Sequence, residues 1–341
     1  MTRVLLPVVL AMSVTMLFAM VWQSAGDESD FASLERDGVT YIQALGPLEI
    51  ALTDAEAATV SGGAATAGEV SRAVDAVARV DGQLRDRLGT QDRWAGLRAK
   101  IEALPASGDA ASVITAYGTV HDLLLALMDK VRNNSELIRD PAADLYYLED
   151  GAAQELPEGI AAASRYTNLL VSAAGSAAAE RAEALVDISS AGSDVASNAQ
   201  DLSDDVRLAV EATGSRGLGS ALLSKLDRFN RAVDSLRPLM TPVVSGKGRI
   251  DPEQVTKARG ETQAAAADLS SALLTQIDLG LQDRLSSLTR RRLLAAGAYA
   301  VALLLAFTPL VLALRTRRRE RQVPAPFVVE PSGREYAGAL R

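Results

Sequence analysis

The sequence predicts an all-α protein: an elongated up-down helical bundle, in one tier or two stacked tiers, set between two transmembrane helices. Three observations carry that reading. Two long runs without a charged residue lie near the two ends of the chain. Between them, apolar residues recur at helical spacing. No stretch alternates apolar and polar residues with the β-branched enrichment of a strand.

The first run, residues 4–22, is 19 residues long. At about 1.5 Å per residue it reaches about 28 Å, close to the roughly 30 Å hydrocarbon core of a bilayer. Trp22 falls where an interfacial aromatic belongs. The rival reading is a cleaved signal peptide, for which the apolar region is unusually long and Gln23-Ser24-Ala25 is a poor cleavage site. The second run, residues 293–314, is 22 residues long and contains Pro309, which membrane helices tolerate. Arg290, Arg291 and Arg292 precede it; Arg315, Arg317, Arg318, Arg319 and Arg321 follow it. Arg3 precedes the first run, and Asp27, Glu28 and Asp30 follow it. The positive-inside tendency then places both termini in the cytoplasm of a bacterial cell, with the chain crossing the inner membrane twice.

The expected organisation is an anchor at 1–22, a helical domain outside the membrane at 23–292, a second transmembrane helix at 293–314, and a short basic tail at 315–341 broken by Pro324, Pro326 and Pro331. The chain carries −8; the tail contributes +4 and Arg3 +1, which leaves −13 for residues 23–292. Such a domain is soluble and repels anions at long range.

Three apolar stripes mark helices. Val113, Tyr117, Val120, Leu124, Leu127 and Val131 are spaced as a heptad seam. Val70, Val74, Val77, Val80, Leu84 and Leu88 make a second stripe. Leu269, Leu273, Ile277, Leu281, Leu285 and Leu288 make a third, which runs on into the second membrane segment. Breakers divide the rest into six or seven helices. They are Ser61-Gly62-Gly63, Pro105-Ala106-Ser107-Gly108, residues 214–219 and residues 245–248. Asp140-Pro141 and Asp251-Pro252 read as helix starts, with Asp at the N-cap and Pro in the first turn.

Composition excludes several functions. The chain has no cysteine, so disulfide scaffolds, thiol catalysis and Cys-ligated metals are out. Its single histidine, His121, rules out a multi-His site; it follows the seam residue Val120 and reads as a solvated flank. Aromatics at 4% are too few for base stacking, and the acidic balance argues against nucleic acid. Residues 214–219, Gly-Ser-Arg-Gly-Leu-Gly, read as a turn because no strand precedes them. Asn133-Asn134-Ser135 lies in a helical run. Every acidic pair reads as a solvated helix face, so no catalytic constellation is expected; the chain is read as a non-enzyme without metal or cofactor.

One segment is distinctive: Asp140-Pro141, then Asp144, Tyr146-Tyr147-Leu148 and Asp150, with Leu156-Pro157-Glu158 shortly after. It resembles a D-P-x-x-D-x-Y-Y-L-x-D signature in the helical extracytoplasmic sensor domains of bacterial transmembrane receptors: methyl-accepting chemotaxis proteins, sensor histidine kinases and diguanylate cyclases. Tyr41-Ile42, Gly46-Pro47-Leu48 and the stretch from Gln91 through Trp94 and Leu97 to Arg98 are similar to other parts of that family, so the likeness covers about residues 40–175. It departs where the family often has Gln-His-Arg-Gly; here residues 53–58 read Thr-Asp-Ala-Glu-Ala-Ala. It also departs after the second membrane segment, where no HAMP coiled coil or output domain is expected.

The resemblance implies a sensor. Arg132, Asn134, Arg139, Asp140, Asp144, Tyr146, Tyr147 and Asp150 are its candidate ligand-binding residues. Against this stands a structural reading in which Asp140 caps, the other acids favour a helix start and the tyrosines pack. The expected function is therefore a membrane-anchored receptor module that relays a small-molecule or protein signal through another protein. The alternative is a scaffold that no longer senses, or a truncated receptor. Expected partners are the lipid bilayer and a second copy, or a full-length receptor or kinase, paired along the third stripe. Gly297, Ala298, Ala300 and Ala302 would allow close helix approach in the membrane.

Overall fold

The computed structural model describes residues 2–63, 67–214, 216–245 and 249–320. Residues 246–248, Ser215, and the tail with Arg321, Pro324, Pro326 and Pro331 lie outside the described residues. The described chain is all-α, without a strand. The helices are α1 (Thr2–Val60), α2 (Ala67–Leu88), α3 (Gln91–Glu102), α4 (Ala110–Asn134), α5 (Ala143–Asp150), α6 (Leu156–Gly175), α7 (Ala178–Ala212), α8 (Arg216–Leu236), α9 (Thr241–Ser245) and α10 (Pro252–Glu320). Short 3₁₀ turns occupy Leu137–Arg139 and Arg237–Met240, and a π-helical segment, Gly151–Glu155, joins α5 to α6.

That is more helices than the sequence led us to expect, because two breaks carry weak signals. Gly89, at φ +61°, ends α2, and Thr90 starts α3 without a side-chain cap. Ser176 and Ala177 are extended between α6 and α7, where Glu180 reaches back to accept the Ala177 N–H at 3.0 Å. Two expected boundaries also move. Residues 217 and 219 are already inside α8, so the turn before it is shorter than the glycines suggest. Asp140 is not an N-cap: α5 begins only at Ala143, and Asp140 instead accepts the Ala142 N–H at 2.6 Å in a local turn. Asp251-Pro252 does start α10, with Asp251 accepting the Glu253 N–H at 3.0 Å.

The chain divides into two compact units, residues 1–27 with 288–341, and residues 28–287. In the first, the two apolar runs pack on each other. Phe18 stacks on Tyr299 with centroids 4.4 Å apart, Thr15 and Tyr299 hydroxyls lie 3.0 Å apart, and the Arg292 guanidinium sits over the Trp22 ring. Met12, Met16, Leu293, Leu294, Leu304 and Leu305 are exposed. By length and composition three helices could cross a membrane, one more than expected: α1, α10 and α4. The apolar stretches of α1 and α10 are almost wholly uncovered, whereas α4 buries its entire seam, from Val113 to Val131, in the second unit.

The second unit holds one long core. It takes Ile42, Leu45, Leu48 and Leu52 from α1, Val74, Val77 and Leu88 from α2, and Trp94 and Leu97 from α3. From the later helices it takes the α4 seam from Val120 to Val131, Leu148, Leu156, Ile160, Leu202 and Leu222, while Val113 and Tyr117 pack with Ala55 of α1 in a small separate cluster. The third stripe closes it: Leu269, Leu273, Ile277 and Leu281 are fully buried against the chain's own helices. A pairing seam between two copies would have to use other residues of α10.

Leu124→Ala and Leu273→Ala each empty a fully buried site and should lower stability by about 2–5 kcal/mol. Leu279→Ala, at a position 49% exposed, should cost less than about 0.5 kcal/mol. Thermal unfolding of the full chain in detergent reads the contrast.

Candidate functional site

Carboxylates enter the core on α1. Glu35, Glu49 and Glu56 stand at whole multiples of seven residues from one another, with Ile42 completing the series, so they share the face of α1 that the unit buries. All three are at most 2% exposed. The expectation that every acidic pair is solvated is therefore overturned; the apolar residues around these acids left no face free for water.

Each buried acid is met differently. Glu56 accepts a hydrogen bond from the Ser164 hydroxyl at 2.9 Å and pairs with His121 Nε2 at 3.2 Å, while Asn168 Nδ2 donates to Ser164 Oγ at 3.2 Å. His121 is thus buried, not on a solvated flank. These three residue types also occur in nucleophilic triads, but here the carboxylate lies between Ser and His. The imidazole does not touch the hydroxyl, so the set does not have the order of a Ser–His–acid triad.

Glu35 lies in a tighter group. Arg284 of α10 donates to Asp140 Oδ2 at 3.0 Å and reaches Glu35 Oε2 at 3.4 Å. Glu149 of α5 completes the cluster: one carboxylate oxygen from each of Glu35, Asp140 and Glu149 lies within 4.8 Å of the others. Burial, and then the neighbouring Asp140, push Glu35 up to about 9. Burial, with Glu35 and Asp140 beside it, holds Glu149 well above the usual range. Two close approaches build the cluster. A Cβ at Gly38, one turn beyond Glu35, would collide with the Ser135 side chain; a Cβ at Gly280, one turn before Arg284, would meet Leu145 Cδ2 at 2.6 Å. Glycine at both positions lets the 135–145 segment seat against α1 and α10.

A second acidic group flanks the other end of α5. The i→i+5 pattern of Gly151–Glu155 brings Asp150 and Glu155 toward one side, where an α-helix would hold them apart. Asp205 of α7 joins them. Burial, then their acidic neighbours, raise both Glu155 and Asp205 to about 7. Arg132 donates to Asp150 at 2.7 Å.

The eight candidate residues do not converge on one pocket. Arg132 and Asp150 serve that second group. Asn134 donates to the Leu88 carbonyl at 2.7 Å, and Arg139 donates to Glu136 at 3.2 Å. Asp140 belongs to the Arg284 cluster, and Asp144 accepts the Leu145 N–H at 3.1 Å. Tyr146 and Tyr147 are half-buried and meet edge to face at 5.3 Å; Tyr147 packs on the core.

A mainly apolar cleft, one of several among the described residues, lies elsewhere. It is about 750 Å³, has largely apolar walls, and is built mainly from α1, α2, α6 and α10. Ile42, Pro47, Met128, Leu156, Ile160 and Leu274 supply apolar wall; Glu49, Asp54, Glu69 and Arg72 supply charge. None of the eight candidates lines it. Two quoted pairs, Gly46-Pro47 and Leu156-Pro157, do. Glu49 sits in this wall with its Oε1 buried and without a hydrogen-bond partner, and burial alone holds its carboxyl well above the usual range. The signal that marks Glu49 is an acid in register with the buried face of α1.

No family model, curated protein or solved structure matches the chain.

Two outcomes follow for the site. Gly38→Ala forces Ser135 or its turn to move and should lower stability by about 1–3 kcal/mol, read by thermal unfolding. The second concerns pH. The folded chain keeps the protons of Glu155 and Asp205 up to about 7, whereas the unfolded chain loses them at their ordinary values of 4.5 and 3.8. The unfolded state therefore binds fewer protons across that interval, and the part of the stability that these two groups contribute falls as pH rises through it and levels off above it, while Glu35 carries the fall on toward about 9. Asp205→Asn should flatten this fall in a series of melts from about pH 4 to about pH 8.

Proposed function

We propose that this chain is a membrane-anchored sensory module of the bacterial inner membrane. Residues 4–22 and 293–314 cross the bilayer, and the helices between them form a bundle outside it. The bundle takes a small molecule in the 750 Å³ cleft. That cleft is the observation that carries the reading: its size and its apolar walls with a few charged groups are those of a small-molecule site. Of its three acids, Glu69 pairs with Arg72 and Asp54 with Arg259, which leaves Glu49 Oε1 as the unpartnered acceptor of the wall. The ligand chemistry that fits is an apolar body with an amino or other hydrogen-bond-donating group, rather than an organic acid or an inorganic oxyanion.

Further support comes from which helices make the wall. α1 and α10 both line the cleft, and both carry an apolar stretch long enough to cross a membrane. Occupancy that shifts one against the other by about 1–2 Å is the kind of change receptors transmit. A partner in the membrane, a second copy or a full-length receptor or kinase, would read that change through the exposed apolar faces of α1 and α10. A scaffold without a ligand is the second reading, favoured by the block at residues 140–150, whose polar groups are largely satisfied within the chain.

The test is a thermal-shift screen of the full chain in detergent against amines, amino acids, organic acids and nitrogen oxyanions. A ligand at 100 times its dissociation constant adds about 2.7 kcal/mol. An amine or amino acid should produce the shift, and Gly46→Leu, at a position with open space around its Cα, should abolish it by filling the cleft. No shift with any compound would leave the scaffold; a shift that Gly46→Leu leaves untouched would move the site out of the cleft.

A further inference from the structure

The Arg284 cluster does not close electrically. Glu35, Asp140 and Glu149 as carboxylates bring −3, and Arg284 returns +1. Glu35 is fully buried, Glu149 is 1% exposed and Asp140 is 7% exposed. Arg284 engages Glu35 Oε2 and Asp140 Oδ2. That leaves Glu35 Oε1 and both Glu149 oxygens buried without any hydrogen-bond partner. Burying a carboxylate without a hydrogen-bond partner is costly, and Glu149 as a carboxylate has none, while Arg284 is already engaged by Glu35 and Asp140.

We infer that Glu35, Asp140 and Glu149 form a binding site for one hard divalent cation, Ca²⁺ in preference to Mg²⁺ or Mn²⁺. The donors are all carboxylate oxygens, with no histidine or cysteine among them, which selects Ca²⁺, Mg²⁺ and Mn²⁺ over zinc and copper. A +2 ion cancels the remaining −2. Ligand oxygens at 2.3–2.6 Å from Ca²⁺ stand at most about 4.6–5.2 Å apart across the ion, and about 4.0–4.2 Å across Mg²⁺. The three donor atoms lie within the span of Ca²⁺, and the burial of all three acids leaves little room for the several waters that Mg²⁺ keeps. Arg284 keeps its own contacts to Oε2 of Glu35 and Oδ2 of Asp140, and Asp140 Oδ1 accepts the Ala142 N–H; the unpartnered oxygens of Glu35 and Glu149 remain for the metal, and Asp140 shares one of its oxygens with it. The site ties α1 to the 135–150 segment, and it is separate from the cleft, so it stands or falls independently of the ligand reading.

The experiment uses the full chain in detergent, stripped with EDTA and brought to pH 7.5. Thermal melts are recorded in CaCl₂, MgCl₂ or MnCl₂ at about 5 mM, above the roughly 10⁻⁴–10⁻³ M dissociation constants of extracellular calcium modules. NaCl of matched ionic strength is the control. Equilibrium dialysis with elemental analysis counts the ions bound. The expected result is a rise in Tm, largest with Ca²⁺, and a calcium uptake that falls by about one ion per chain in Glu149→Gln. That variant should melt in EDTA at or above the wild-type temperature, since it removes a partnerless buried carboxylate, and it should gain nothing from calcium. Should Glu149→Gln fail to fold, Glu35→Gln and the wild-type uptake decide alone. Equal melting in EDTA and in every ion with no ion bound overturns the site, and leaves the cluster neutralised by protons. So does a calcium-dependent rise that persists in the folded variants. A larger response to Mg²⁺ or Mn²⁺ overturns the preference for calcium.

Discussion

The rest of the second unit is arranged around one constraint: α1 carries carboxylates on the face it buries. A carboxylate in a helix-packed interior must find a donor, a counter-charge, a proton or a cation, because the alternative costs several kcal/mol per group. Glu56 finds His121 from α4 and Ser164 from α6. Glu35 finds Arg284 from α10. Glu49 finds neither and stands at the wall of the cleft. The apolar residues between these acids would allow α1 to rotate or slide against its neighbours; Glu35 and Glu56 specify the register, since a shift by one turn would strand both of them. Buried polar groups that fix register are the best-attested use of such costly contacts.

The two glycines supply the steric counterpart. Gly38 and Gly280 each lie within a turn of a charged member of the cluster, and each is met by a residue from the same segment, Ser135 or Leu145. A side chain at either position would lift that segment away and leave Glu35 or Arg284 facing a gap. The left-handed turn at Glu136, φ +65°, belongs to the same seating. Glu136 takes a conformation that costs a non-glycine residue about 1–2 kcal/mol, and it persists because Ser135 and Leu137 on either side are buried.

Much of the fold was legible because helical periodicity is a local signal. The α4 seam reads directly from Val113 to Val131, and every member is buried. The third stripe reads equally well, yet its partner does not: a seam at helical spacing says that it is covered, not by which copy of the chain. The short breaks at Gly89 and Ser176 escaped because each rests on a single weak breaker. The acidic cluster escaped for a different reason. Asp140, Glu149 and Arg284 look like capping and solvated residues in one dimension, and only the tertiary fold adds Glu35 to them. A direct sign was present in α1, where Glu35, Glu49 and Glu56 fall in register with the apolar Ile42.

The conspicuous residues of the block at residues 140–158 are not the ones that line the cleft. Its charged and aromatic residues, Asp140, Tyr147 and Asp150, spend their polar or apolar groups inside the chain, against Arg284, the core and Arg132. Its inconspicuous end, Leu156-Pro157, is the part that lines the cleft. The π-helical segment explains how one block serves both ends. The five residues Gly151–Glu155 take a wider turn than an α-helix, and the phase of α6 is rotated relative to α5. With an unbroken α-helix through residues 143–175, the face that buries Leu145, Leu148 and Glu149 would not place Leu156 and Ile160 where they stand. Straightening that segment would therefore cost either the cluster or the cleft wall, which makes Gly151–Glu155 the element that couples the two.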